Sequence, residues 1–110
     1  MRDYIHVSDL AAAHVRTLER LIATPHESLL LNCGYGHGYS VLDVLDSVDR
    51  VTDRKIERRP GPRRAGDPPS VVADNRRILE KLDWRPARDD LDTIVADALA
   101  WERKLAARLT

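Results

Sequence analysis

Polar and apolar positions alternate along the chain in runs that predict short strands and longer helices in turn. Residues 3–7 read as a strand, because Tyr4, Ile5 and Val7 favour extended backbone. Ser8 or Asp9 then caps a helix that runs to about Ala23, with Leu10, His14, Leu18, Leu21 and Ile22 on one stripe at helical spacing. Thr24-Pro25 ends it. Residues 28–33 hold the continuous run Leu29-Leu30-Leu31, the pattern of a strand covered on both faces. A glycine-rich turn follows at 34–38, and Ser40 with Asp43 forms a capping box that opens a second helix on the stripe Val41, Val44, Leu45, Val48, Val51. Residues 55–59 predict a strand and 70–73 a brief one. Between them, 60–69 holds four of the six prolines and predicts a stiff surface loop. Asp74 caps a short helix through about Leu82, and Trp84-Arg85-Pro86 makes a turn. Asp89 or Asp90 starts the last helix, whose stripe is Leu91, Ile94, Val95, Ala98, Trp101 and Leu105.

The order of elements predicts a mixed α/β fold class and a single domain over residues 1–110. Short strands in this number make a poor sheet alone. The Leu29–Leu31 run expects neighbouring strands, so the pattern predicts a truncated domain. No internal repeat or low-complexity tract interrupts the pattern.

Composition narrows the picture. The formal net charge is zero, with 18 basic and 18 acidic residues, so no global field favours nucleic acid or a membrane surface. Only Lys55, Lys81 and Lys104 among the basic residues are lysine. Such an arginine excess suits phosphate recognition, but by itself it favours a bias in base composition. Phenylalanine is absent, which leaves Trp84 and Trp101 as the large core candidates. The lone Cys33 excludes an internal disulfide and, with no apolar stretch of membrane-spanning length, points to a cytoplasmic protein.

Two polar segments carry candidate chemistry. Arg2, Tyr4 and His6 share one face of the first strand, where an arginine could grip a diphosphate beside an aromatic ring. The same residues also suit a strand with an exposed polar face. In Arg63-Arg64-Ala65-Gly66-Asp67, Arg64 offers a bidentate donor for phosphate and Asp67 an acceptor for ribose hydroxyls, and flanking prolines lower the cost of ordering them. A solvated loop with an internal Arg–Asp pair is the alternative. The 34–38 turn is not a Gly-x-Gly-x-x-Gly fingerprint and lacks the Lys-Ser/Thr of a P-loop, so backbone geometry explains its glycines better than phosphate binding. None of His6, His14, His26 and His37 has metal-ligand spacing, and His14 sits on the predicted buried stripe. No complete acid, base and nucleophile set is present.

In order along the chain, Arg2-Asp3-Tyr4-Ile5-His6-Val7, Asn32-Cys33-Gly34-Tyr35-Gly36-His37-Gly38-Tyr39-Ser40-Val41, Pro62-Arg63-Arg64-Ala65-Gly66-Asp67-Pro68 and Leu82-Asp83-Trp84-Arg85-Pro86 resemble segments of the extended short-chain dehydrogenase/reductases, in their UDP-glucose 4-epimerase form. The resemblance covers nearly the whole chain and is to the C-terminal portion of that family. It implies that Arg2 and Arg64 contact the diphosphate of a UDP-sugar, that Tyr4 lines the nucleotide pocket and that Asp67 holds the ribose hydroxyls. Val71 falls where the family sets how large a sugar fits, and a valine there is intermediate in size. The implied reaction interconverts UDP-glucose and UDP-galactose through a keto intermediate made with NAD, in a homodimeric parent.

The family's dinucleotide-binding glycines and its Tyr-x-x-x-Lys pair belong to an N-terminal domain. No lysine here has a tyrosine four residues before it. The resemblance therefore implies a substrate-binding part that binds no NAD by itself and is inactive alone, with the NAD-binding domain as its missing partner. Alternatives are a module that pairs with a separate NAD-binding chain, a fragment of a sugar-nucleotide dehydratase, decarboxylase or uronate epimerase, and an anion- or RNA-binding module built on Arg58, Arg59, Arg63 and Arg64. Zero net charge and few aromatic platforms speak against the last.

Overall fold

A computed structural model describes residues 1–109. Its regular structure lies in four helices: α1 (Val7–Ala23), α2 (Val41–Thr52), α3 (Arg76–Lys81) and α4 (Leu91–Leu109). The predicted helices are all present. The predicted strands are not: among the described residues, extended pairing is limited to two isolated bridges, Arg2 with Tyr39 (antiparallel) and Arg2 with Val71 (parallel). The expectation of a mixed α/β sheet is corrected accordingly. A strand exists only where a second backbone runs alongside it. Leu29 and Leu31 do pack on the core, but as side chains against residues of α1 and α3, while Leu30 is 80% exposed.

The helix ends follow local chemistry, with two departures. The α1 cap is His6 rather than Ser8 or Asp9: its ring accepts the Ser8 N–H at 3.0 Å through Nδ1, while Nε2 meets Asp97 of α4 at 2.7 Å. Asp9, released from capping, turns inward. At α2 the expected capping box forms in full, Ser40 Oγ accepting from Asp43 N and the Asp43 carboxylate accepting from Ser40 N. That helix closes on Asp53 at φ 52°, a left-handed position where glycine is more usual. The α3 cap position is Asn75, not Asp74, and its side chain makes no cap bond, donating instead to Gly34 O at 3.0 Å. At α4, Asp90 accepts from Thr93 N, as an N-terminal cap does.

Two packing centres result. In the first, Trp84, Ile78, Leu82 and Ala13 form the buried core, with Ile5, Leu29, Leu31, Cys33 and Leu79 packed against it. In the second, α2 lies against α4. There Ser47, fully buried, donates to the Asp92 carboxylate, and Arg50 grips the same carboxylate with two bonds.

The α1 stripe departs most from expectation. Leu18 is 60% and Ile22 70% exposed, and Leu21 and His14 also reach solvent; the buried positions are Asp9 and Ala13. Leu10, Leu18 and Leu21 instead line an open apolar groove of about 390 Å³ with Leu29, Leu31, Cys33 and Ile78. His14, expected in the core, bonds the carbonyl of Leu10 one turn back. Trp101 of α4 is likewise half exposed rather than buried.

Candidate functional site

The two polar segments singled out in the sequence meet. A backbone ladder ties the N-terminus to distant parts of the chain: Arg2 exchanges two bonds with Tyr39 (2.8 and 2.9 Å), Val71 N donates to Met1 O at 2.9 Å, and the terminal ammonium donates to Pro69 O at 2.7 Å. These bonds bring the loop of residues 60–69 over the first residues of the chain. The result is a groove of about 460 Å³ lined by Arg2, Tyr4, Arg64 and Asp67, together with Tyr39 and Arg63. Val71 lies apart from these four. It lines an adjoining cleft of about 540 Å³ with Asp3, Asn32 and Ala73, and Arg2 is the residue common to both spaces.

The three-residue spacing of Arg64 and Asp67 has a structural cause. Asp67 N donates to Arg64 O at 3.3 Å, closing a turn in which Gly66 sits at φ 76°. A left-handed residue at the third position of a turn favours glycine. The two side chains thus leave the turn from its ends. Asp67 receives Arg2 Nη2 at 2.6 Å on one oxygen and faces Arg64 Nη2 at 3.7 Å with the other, while Arg63 donates to the Asp67 carbonyl at 2.9 Å. Arg64 is 85% exposed and otherwise free to swing.

Behind this groove the support comes from residues the sequence did not flag. The Asp3 carboxylate accepts three backbone N–H groups, from Tyr35 and Gly36 at 3.0 Å and from Ala73 at 3.3 Å. It thereby joins the first segment, the glycine turn and the 70–73 segment, and fixes Arg2 and Val71 relative to each other. Deeper still, Asp9 is 2% exposed and accepts from the Tyr35 hydroxyl and from the N–H groups of Ala87 and Arg88, while its own carbonyl takes Trp84 Nε1 at 2.9 Å. Burial alone would raise the Asp9 pKa; the bonds from Tyr35, Arg88 and Ala87 outweigh it and hold it below the usual carboxylate value. Burial and the bond to Asp9 push the Tyr35 hydroxyl up, so it stays a neutral donor. The sequence marked Asp9 only as a possible cap of α1 and gave Asp3 no role of its own, since the partners of both lie far along the chain.

The glycine turn does not make a dinucleotide cradle. A Cβ at Gly34 would lie 2.6 Å from the Asp3 carboxylate and 2.7 Å from Ala73 Cβ, and one at Gly38 would meet Met1 and Val72 at 2.7 and 2.9 Å. The chain's own side chains press against these two glycines, so close approach of neighbouring segments accounts for them. Among the described residues no group of three or more His, Cys, Asp or Glu is placed to hold a metal ion, and no helix is long and apolar enough to cross a membrane. Cys33 has its thiol pKa raised by burial first and by Asp3 and Asp9 second, which disfavours the thiolate.

Comparison with known proteins sets this geometry in context. No family model matches the chain. A UDP-glucose 4-epimerase of Azospirillum brasilense is 50% identical over 105 residues, covering 96% of this chain and 30% of that protein. Among solved structures, a UDP-glucose 4-epimerase of Stenotrophomonas maltophila with bound NAD and formylated UDP-arabinopyranose superposes with a TM-score of 0.87 at 38% identity, covering 96% of this chain and 31% of the other. The UDP-Glc/GlcNAc 4-epimerase of Campylobacter jejuni gives 0.83 at 39% identity, covering 94% and 31%. The chain thus spans about a third of the length of the curated relatives it matches. In sequence and in fold alike, nearly the whole chain matches UDP-glucose 4-epimerases, at the extent a C-terminal fragment of that family would show.

Proposed function

We propose that the chain is the UDP-sugar-binding part of a UDP-glucose 4-epimerase, and that its groove holds the nucleoside diphosphate. The observation that carries this reading is the convergence of Arg2 with Arg64 and Asp67, more than sixty residues apart in the sequence, on one groove also lined by Tyr4 and Tyr39. Two guanidiniums can chelate a diphosphate with charge-assisted bonds. Tyr4 offers a ring edge or hydroxyl to the nucleoside, and Asp67 is, among the described residues, the only carboxylate lining the groove, suited to accept from a ribose diol. Val71, across Arg2, then shapes the space for the sugar.

In this reading the chain binds and orients. NAD, when present in the whole enzyme, supplies hydride transfer at the sugar, and it is held outside these 110 residues, since they carry no Gly-x-Gly-x-x-Gly fingerprint. The exposed stripe of α1 and the Leu29–Leu31 run support a further element of the proposal: they form the face that an NAD-binding domain covers, whether in the same polypeptide or in a separate chain. A cytoplasmic, homodimeric whole enzyme fits the same picture. The intermediate size of Val71, and a structural neighbour that is a UDP-Glc/GlcNAc 4-epimerase, support tolerance for N-acetylated sugars.

Calorimetric titration tests the reading. The chain should bind UDP, and Arg64→Ala should weaken binding by about tenfold or more, the cost of losing a hydrogen bond to a charged group. Equal affinity of the variant and the original chain would remove Arg64 from the site. The purified chain with added NAD should not interconvert UDP-glucose and UDP-galactose, and turnover by the chain alone would overturn the division of labour.

A further inference from the structure

The two arginines and the carboxylate of the groove are not waiting separately for a ligand. Both oxygens of Asp67 are turned on the arginines, with Arg2 Nη2 at 2.6 Å and Arg64 Nη2 at 3.7 Å. The other terminal nitrogen of Arg2, Nη1, is spent on Met1 O at 2.9 Å. Both terminal nitrogens of Arg2 are therefore engaged by oxygens of the protein, one of them a carboxylate. Both partners are about one-third exposed, and the pair sits on a turn at the surface rather than in the core. Such a pair is weak and readily exchanged in water.

We propose that Asp67 is a specificity gate: it holds Arg2 against free phosphates and releases it to a ligand that offers the carboxylate a vicinal diol in return. The proposal rests on the reading of the groove as a nucleoside diphosphate site and adds to it a reason for discrimination. An inorganic pyrophosphate must displace Asp67 from Arg2 and then leave a carboxylate beside its own negative charge. A nucleoside diphosphate makes the same displacement but satisfies Asp67 with its ribose hydroxyls. The cost is thus charged to every phosphate ligand and returned only to those carrying a diol, which is selection by a penalty on the wrong ligand. Arg64 plays no part in the penalty to the same degree, because it faces Asp67 at a longer distance and is largely solvated.

The test is calorimetric titration of the chain at fixed ionic strength with sodium pyrophosphate and, separately, with UDP. Asp67→Asn should bind pyrophosphate about fivefold more tightly than the original chain, the factor a surface ion pair imposes. The gain should vanish when Arg2→Ala is added. It should also be absent from Asp46→Asn, which makes the same change in net charge at a carboxylate paired with Arg58 elsewhere. Asp67→Ser should repeat the gain if the asparagine variant folds poorly. A pyrophosphate affinity that is unchanged or lower in both Asp67 variants would overturn the proposal and make Asp67 a support for Arg2 instead. A gain that survives Arg2→Ala, or appears equally in Asp46→Asn, would overturn it as well, by reducing it to net charge. The UDP arm separates this inference from the reading beneath it. If the original chain fails to bind UDP while the Arg2-dependent gain for pyrophosphate is present, the penalty that Asp67 places on phosphates stands, but the nucleoside reading falls and the release to a diol falls with it.

Discussion

At the scale of single residues, the structure places a buried, fully engaged carboxylate in the first turn of α1 rather than in the groove. Asp9 is buried among the Tyr35 hydroxyl and the N–H groups of Ala87 and Arg88, and it carries the turn after Trp84 on its back. Asp9→Ala would take the acceptor from three donors, at about 1–3 kcal/mol for each that water does not reach, so a loss of about 2–5 kcal/mol is expected in chemical denaturation. The pH dependence has a definite sign. The Asp9 pKa is lowered in the folded chain, so the ionised form favours folding. That contribution is fully present above the unfolded carboxylate pKa of about 4, and it fades as the pH falls through the lowered folded value. Acid melts should therefore show a stability loss below about pH 4 that Asp9→Asn reduces, the remainder coming from surface carboxylates whose pKa is also lowered, Glu27, Asp43, Asp74 and Asp92. A melt profile that is unchanged in Asp9→Asn would place the acid-sensitive group elsewhere. The Arg64–Asp67 pair was legible from the sequence because a turn is a local object, written in Gly66 and its flanking prolines. The roles of Asp3 and Asp9 were not, because each depends on backbone groups more than 25 residues away in the chain.

At the scale of elements, what could be read from the sequence divides by the range of the interaction. Capping boxes, proline stops and 3.6-residue stripes are local, and all four helices lie close to where they were expected. The Ser40–Asp43 box formed to the atom. The strands failed because pairing needs a second backbone, and the described chain supplies one only at Arg2, where Tyr39 and Val71 flank it. The α1 stripe failed in a different way: its period was right but its partner was misjudged, since a stripe states that a face is apolar and not what lies against it. A contrast of two substitutions measures this. Ile78→Ala, at 2% exposure in the core, should cost about 2–5 kcal/mol. Ile22→Ala, at 70% exposure on α1, should change the stability of the chain by no more than about 0.5 kcal/mol. A large loss at Ile22 would show that this face is covered in solution.

At the scale of the whole molecule, the chain is two packing centres joined by extended segments, with an open apolar groove on one side and a charged groove on another. The charged groove is assembled from Arg2, at one end of the chain, and from a loop more than sixty residues later, held by the ladder that joins Met1 and Arg2 to Tyr39, Pro69 and Val71. Sequence motifs singled out these five residues; only the fold shows that Arg2, Tyr4, Arg64 and Asp67 share one space while Val71 faces the next. The central claim is that this shared space recognises a uridine diphosphate. The most direct measurement is an amide proton–nitrogen NMR titration of the chain with UDP. The account predicts dispersed peaks whose shifts concentrate at Arg2, Tyr4, Tyr39 and residues 63–67. Shifts centred elsewhere, for example on the polar surface around Asp74 and Glu80, or no shift at all at saturating UDP from a well-dispersed spectrum, would contradict it.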